Sequence, residues 1–170
     1  LFEELGFPKN KLELISNGSV KGVNLKKFKK DIVQKKKYKK FYEIPENYKI
    51  ILYLGRIEYD KGISTLLQSF ELLLKKNKNY FLLLVGRDEI DIQNYINNYD
   101  INKNYIKILA HTKFPERYIN LSDVVCIPSL REGFGSVAIE ASACETPIVA
   151  SDIQGLSESV IDNYNGVKFK

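Results

Sequence analysis

The chain has 170 residues, 44% of them hydrophobic, and a formal net charge of +5, enough for one domain with a sizeable core. No apolar run approaches the roughly 18 residues needed to span a bilayer, and no signal-peptide pattern opens it. The two cysteines, Cys126 and Cys144, share no metal-ligand spacing with each other or with His111, the only histidine; they read as reduced core thiols of a cytoplasmic protein.

In chain order, residues 12–16 read as a first short strand, and residues 1–24 as an interdomain connection leading into the domain. Residues 25–48 form a basic linker or helical segment whose charge is concentrated in 26–40, KKFKKDIVQKKKYKK. That run reads first as a solvated loop or helix face. An anionic membrane surface is its alternative partner. No recognition module surrounds it, so no nucleic-acid partner is expected. From residue 49 onward short apolar runs alternate with helical patterns. Strands are predicted at 50–54, 81–85, 105–109, 124–128, 148–151 and 167–169. Helices are predicted at 62–76, 91–99, 115–122, 134–144 and 156–161. The chain does not begin with Met and ends without a closing element, which reads as a piece of a longer protein, truncated in its last domain, 49–170.

Strands that are apolar throughout are buried on both faces, and their alternation with helices implies a mainly parallel sheet covered on both sides. Right-handed crossovers make this a doubly wound, Rossmann-like α/β domain, in which ligands bind beyond the carboxyl ends of the strands. The residues just after each strand therefore carry the candidate site. Gly55-Arg56-Ile57-Glu58-Tyr59-Asp60-Lys61-Gly62 follows the first core strand. Its arginine fork and lysine point charge suit a diphosphate, or are ordinary charges of an exposed loop. Gly86 and Arg87 follow the next strand. Asp88, Glu89 and Asp91 behind them read as helix-start carboxylates rather than a metal site. His111 follows the third.

After the fourth strand comes Arg131-Glu132-Gly133-Phe134-Gly135-Ser136-Val137-Ala138-Ile139-Glu140. A helix starting near Gly135 leaves the amides of Phe134, Gly135 and Ser136 unpaired, an anion site. Glu132 lies just before that helix. Glu140 lies early within it, in a run of small and apolar residues where a carboxylate requires a partner. A ribose diol is one such partner.

These stretches match a family. The chain resembles the C-terminal, nucleotide-sugar-binding domain of group 1 (family 4) glycosyltransferases, one half of a GT-B fold. The resemblance rests on Asn17-Gly18-Ser19 with Gly22-Val23-Asn24, on Leu54-Gly55-Arg56 through Lys61-Gly62, and on Leu84-Val85-Gly86. It continues through Pro128-Ser129 to Glu140, then 143–150, and Asn165-Gly166. It implies that Arg56 and Lys61 hold the donor diphosphate and support the leaving group. Glu132 would contact donor-sugar hydroxyls, and the amides of Gly133, Phe134 and Gly135 would face sugar and phosphate. Glu140 would bind the ribose and the backbone near Leu109 the base, with Gly18, Gly86, Arg87 and Ser136 completing the donor site. It further implies a retaining enzyme without a metal or other cofactor, a UDP-sugar donor, and a separate N-terminal domain carrying the acceptor site. The flavour of residues 131–140 is that of bacterial surface-glycan enzymes. Two positions depart from the family pattern: Glu145 stands where glycine is frequent, and Asn24 where aspartate is.

On this reading the two glutamates are not a hydrolase acid/nucleophile pair, and the chain alone binds nucleotide without efficient transfer. A nicotinamide-dependent dehydrogenase would want G-x-G-x-x-G after the first strand, where this chain has Gly55-Arg56-Ile57-Glu58. A sugar-nucleotide epimerase of GT-B fold and a non-catalytic nucleotide-binding scaffold are the remaining alternatives.

Overall fold

The computed structural model describes residues 5–13 and 22–170. Gly18 and most of the predicted strand at 12–16 fall outside them, and Leu12 and Glu13 are in no strand. The elements are α1 (Ile32–Phe41), β1 (Lys49–Leu54), α2 (Ile63–Lys76), β2 (Tyr80–Val85), α3 (Ile92–Ile96) and β3 (Ile106–Leu109). These are followed by α4 (Pro115–Leu121), β4 (Val124–Ile127), α5 (Ser136–Ala143), β5 (Ile148–Ser151) and β6 (Gly166–Phe169). All six strands are parallel, in the order β3-β2-β1-β4-β5-β6. The expected doubly wound, Rossmann-like α/β fold is the one observed.

Side chains of β2 show how the sheet divides its two cores. Leu82 and Leu84 point into a cluster with Ile63, Leu66, Leu67 and Phe70 of α2 and Ile92 and Ile96 of α3. Phe81, Leu83 and Val85 point to the opposite side, where Ile119 and Leu121 of α4 and Ala138 and Ala141 of α5 pack. The period of two in the strand and the i, i+3, i+4 spacing of α2 are thus read out on the same face. Both sides being covered explains why β1 and β2 are continuous apolar runs.

Two sequence expectations change. Residues 156–161 are not a helix. A 3-10 turn, Gln154–Leu156, is followed by a single turn closed by the Val160 amide on the Leu156 carbonyl. Polar side chains then compete for the backbone: the Ser157 hydroxyl donates to the Gln154 carbonyl, the Asn165 amide oxygen accepts from the Ile161 amide, and Asn163 sits at φ 59°. Such local bonds offer the chain an alternative to helix. The basic run is also only partly solvated. Asp31 caps α1 by accepting from the Gln34 amide, and Phe28 and Ile44 on either side of the helix are buried in the core. Lys35 pairs with Asp123 at 2.9 Å. Lys39 is buried and donates to the carbonyls of Glu46 (2.6 Å) and Tyr48 (2.8 Å); burial holds its pKa below the usual lysine value.

The turn entering α1 is fastened by one side chain. Asn120 of α4 accepts from the Asp31 amide (2.7 Å) and donates to the Lys29 carbonyl (2.9 Å). Asp123 makes the adjoining tie to the sheet. Its carboxylate accepts from the Ile50 amide (2.8 Å), and its own amide donates to the Ile50 carbonyl. Burial pushes the Asp123 carboxyl up, but the Ile50 amide and Lys35 outweigh this and leave its pKa below the ordinary value. Asn120→Ala orphans both backbone groups at once. We expect a loss of about 1–3 kcal/mol, read as a lower urea midpoint. At Glu145, φ is 55°, a left-handed conformation that glycine adopts without strain. Glu145→Gly relieves that strain at the cost of an exposed pair with Lys30 (2.7 Å), worth about 0–1 kcal/mol. The expected net result is a melting temperature higher by about 2–4 °C.

Candidate functional site

The chain leaves β1 for β2 and β3 on one side of the sheet, and returns to β4, β5 and β6 on the other. The loops after β1 and β4 therefore diverge and leave a crevice at the carboxyl edge, the switch point where such sheets bind ligands. Two adjoining clefts open there. The first, about 300 Å³, is lined by Tyr53, Arg56, Lys61, Ser129, Glu132 and Ser136, among others. The second, about 270 Å³, is lined by Arg56, Arg87, His111, Thr112, Val137 and Glu140, among others. Leu54, Gly55, Arg56 and Val137 line both, so the two form one bipartite site with Arg56 on the divide.

Backbone contacts set this geometry. The Gly55 amide donates to Val85 and the Gly86 amide to Leu109, carrying the parallel pairing one residue past the strands. A Cβ on Gly86 would lie 1.6 Å from the Gly55 carbonyl oxygen, so only glycine lets the two strand ends approach. Beyond it Ile57 and Asp88 form an isolated bridge. The loops bearing Arg56 and Arg87 are therefore held side by side. The Tyr53 hydroxyl, buried below, donates to the Arg56 carbonyl. Burial, with the Glu132, Glu58 and Asp60 carboxylates, pushes the Tyr53 pKa up, so it stays a neutral donor.

Across the crevice α5 begins two residues later than the sequence suggested, at Ser136. Gly135 is the N-cap at φ 71°, and no side chain caps the helix. The first-turn amides are left for solvent or ligand. Lys61, little exposed, donates to Glu132 Oε1 (3.1 Å) and to the Arg131 carbonyl (3.0 Å), and Ser129 donates to the same carboxylate oxygen (2.8 Å). The cation from one loop and the carboxylate from the other are thus a single ion pair bridging the crevice. Arg56 is turned onto Glu58 at 2.7 Å and Arg87 onto Glu89 at 3.0 Å, exposed guanidiniums on half-buried carboxylates that a bound anion can replace.

Of the predicted site residues, Arg56, Lys61, Glu132, Gly135 and Ser136 line the first cleft, and Arg56, Gly86, Arg87 and Glu140 the second. Gly133 and Phe134 connect Glu132 to the helix and lie outside both linings. Leu109 also lies outside them, its carbonyl taken by the Gly86 amide. From that loop His111 and Thr112 reach the cleft instead. Ser129 stood in the Pro128-Ser129 stretch of the resemblance without an assigned role, while Tyr53 and Thr112 had no motif to mark them; only packing shows that they face the site. Asp88 accepts from the Ile90 and Ile92 amides, the helix-start role expected of it. Both cysteines are free, and desolvation pushes Cys126 up to about 12 and Cys144 up to about 11, so neither is an activated nucleophile.

The fold and the cleft define a Rossmann-like domain with a bipartite, cation-rimmed ligand site at its switch point. The chain belongs to the glycosyl transferases group 1 family, whose model matches residues 34–170. It is 33% identical over 162 residues to the capsular polysaccharide biosynthesis glycosyltransferase CapM of Staphylococcus aureus, covering 92% of this chain and 41% of that protein. It is 30% identical over 165 residues to the N,N'-diacetylbacillosaminyl-diphospho-undecaprenol alpha-1,3-N-acetylgalactosaminyltransferase of Campylobacter jejuni, covering 96% of this chain and 42% of that one. The structure of Anabaena HepE in complex with UDP superposes with a TM-score of 0.84 at 22% identity, over 99% of this chain and 46% of that chain, a likeness of fold. The chain spans about two fifths of the length of the curated relatives it matches.

The Glu140 carboxylate takes no hydrogen bond or ion pair from the described residues. Burial pushes its carboxyl above the ordinary value, Lys27 pulls against that shift, and Glu116 adds to it. The folded state therefore holds the proton more tightly than the unfolded chain. Stability contributed by the protonated form is lost as pH rises from the ordinary carboxylate value through the raised one. Glu140→Gln should flatten that loss and raise the melting temperature of the ligand-free protein at neutral pH, with no gain at pH 4. An unchanged melting profile across this range would show that Glu140 is not strained.

Proposed function

We propose that this chain is the donor-binding half of a retaining glycosyltransferase. It binds a nucleoside diphosphate sugar, a UDP-sugar, whose hexosyl or N-acetylhexosaminyl group passes to a glycan or lipid-linked acceptor in surface-polysaccharide or glycoconjugate synthesis. The observation that carries this reading is the bipartite cleft with Arg56 at its divide. A diphosphate placed there has a sugar-sized space on the Lys61–Glu132 side and a nucleoside-sized space on the Arg87–Glu140 side. CapM is named for capsular polysaccharide biosynthesis, and HepE is described in complex with UDP and with UDP-glucose, which accords with the assignment.

Sugar transfer breaks the bond between the anomeric carbon and the diphosphate. Negative charge grows on the departing phosphate oxygen and positive charge on the ring. Arg56, Lys61 and the free amides at the start of α5 meet the first. They supply the charge compensation, so the proposal includes no metal ion. Glu132, fixed by Lys61 and Ser129, accepts from sugar hydroxyls and positions the ring. Glu140 accepts from the ribose diol, which gives its half-buried carboxylate hydrogen bonds that no described residue supplies. The acceptor enters from a separate N-terminal domain, so the 170-residue chain binds donor but transfers sugar poorly.

Titration calorimetry with UDP, GDP and ADP tests this. UDP should bind most tightly. Arg56→Ala or Lys61→Ala should each weaken it by about tenfold or more, whereas Glu140→Ala should weaken UDP but leave pyrophosphate unchanged. Equal weak binding of all three nucleotides, indifferent to these substitutions, would overturn the site. Efficient transfer by the isolated chain would overturn the half-enzyme reading.

A further inference from the structure

The donor cleft makes no use of the outward face of α1. Residues 32, 33, 36, 37, 40 and 41 are exposed, while Gln34, Lys35, Tyr38 and Lys39 are half-buried or buried. The exposed positions recur at i, i+1, i+4, i+5, i+8 and i+9, one stripe along the helix. The stripe carries Lys36, Lys37 and Lys40, whose side chains make no ion pair or hydrogen bond among the described residues, and no carboxylate. Interleaved with them are three large apolar side chains: Ile32, 61% exposed, Val33, 80%, and Phe41, 71%. The inward lysines have a different task, Lys35 on Asp123 and Lys39 on backbone carbonyls.

A folded domain has no internal reason to expose both aliphatic and aromatic groups on a stripe of unpaired cations. The apolar surface does not end at α1. Phe41 adjoins a cleft of about 340 Å³ lined also by Lys37, Tyr38, Phe114, Arg117 and Tyr118. The Arg117 guanidinium stacks 4.0 Å from the centre of the exposed Phe114 ring. Thr112 lines both this cleft and the nucleoside side of the donor site, so the patch sits beside the mouth of the crevice.

We propose that the outward face of α1, with Phe41 and Phe114 at its edge, docks the protein on an anionic phospholipid surface. The ammonium groups of Lys36, Lys37 and Lys40 suit lipid phosphates, and the exposed Ile32, Val33 and Phe41 beside them supply apolar contact at the same surface. A nucleic-acid surface would be served by the lysines but not by Ile32 and Val33, which offer no stacking face and no hydrogen bond to a base. The proposal does not depend on the donor assignment.

Vesicle co-sedimentation of the chain tests it, using phosphatidylcholine alone and phosphatidylcholine mixed with phosphatidylglycerol. Binding should require the anionic lipid. Replacing Lys36, Lys37 and Lys40 together by Glu should weaken it by more than about fivefold per position. Placing the same three charge reversals at Lys75, Lys76 and Lys78, at the end of α2 on the opposite side of the sheet, should cost far less. Val33→Ser with Phe41→Ser should also reduce binding, although net charge is unchanged. The chain contains no tryptophan, so Phe41→Trp supplies a unique fluorophore whose emission should move to the blue on anionic vesicles. Equal losses from the two charge-reversal sets would overturn the proposal. So would sedimentation without a blue shift, or indifference to the anionic lipid.

Discussion

The site depends on one topological constraint. In an all-parallel sheet every connection is a right-handed crossover, so a chain that builds outward from β1 in both directions must reverse once. Here the reversal falls between β1 and β4. No crossover helix fills the space above that pair at the carboxyl edge. The loop after β1 brings Arg56 and Lys61, the loop after β4 brings Ser129 and Glu132, and α5 points its amino end into the same gap. The glycines at the strand ends serve this arrangement by letting backbones meet where a Cβ would collide.

Within the crevice, charge is arranged before any ligand arrives. Lys61 and Glu132 neutralise each other across it, and Ser129 fixes the same carboxylate oxygen. The Glu132 carboxylate is therefore an acceptor already oriented, and the reorganisation that would weaken its electrostatic effect has been done during folding. The exposed guanidiniums of Arg56 and Arg87 are held by the neighbouring, half-buried carboxylates of Glu58 and Glu89. Glu140 stands opposite to both cases. Its half-buried carboxylate has no hydrogen-bond or ion-pair partner among the described residues, and burial raises its pKa. A domain selected for stability alone would place an apolar residue there.

The basic segment before β1 has two faces with separate physics. Its inward lysines are structural: Lys35 and Lys39 pin α1 to the sheet and to the loop that feeds it. Its outward lysine side chains make no ion pair or hydrogen bond among the described residues and alternate with exposed apolar groups. Because α1 and α4 pack together, and α4 begins at the edge of the crevice, whatever engages the outer face is held close to it.

The sequence by itself determined the architecture. Apolar runs closed by glycine, separated by helical patterns, admit few folds other than a doubly wound parallel sheet. The positions of Arg56, Lys61, Glu132 and Glu140 after strand ends then placed them on one edge. That much is local periodicity plus the handedness of crossovers. Tertiary structure alone decided the rest. Residues 156–161 carry helical spacing, yet serine and asparagine side chains take the backbone bonds a helix would need. Leu109 and His111 are two residues apart, and only the Gly86 amide bond decides which of them is free to face the cleft. Lys35, Lys36 and Lys39 are indistinguishable in a run of lysines until the helix is packed, because burial depends on the neighbour across the interface and not on the residue itself. The joining of Lys61 to Glu132, seventy-one positions apart, is of the same kind: a distance in space that no local pattern encodes.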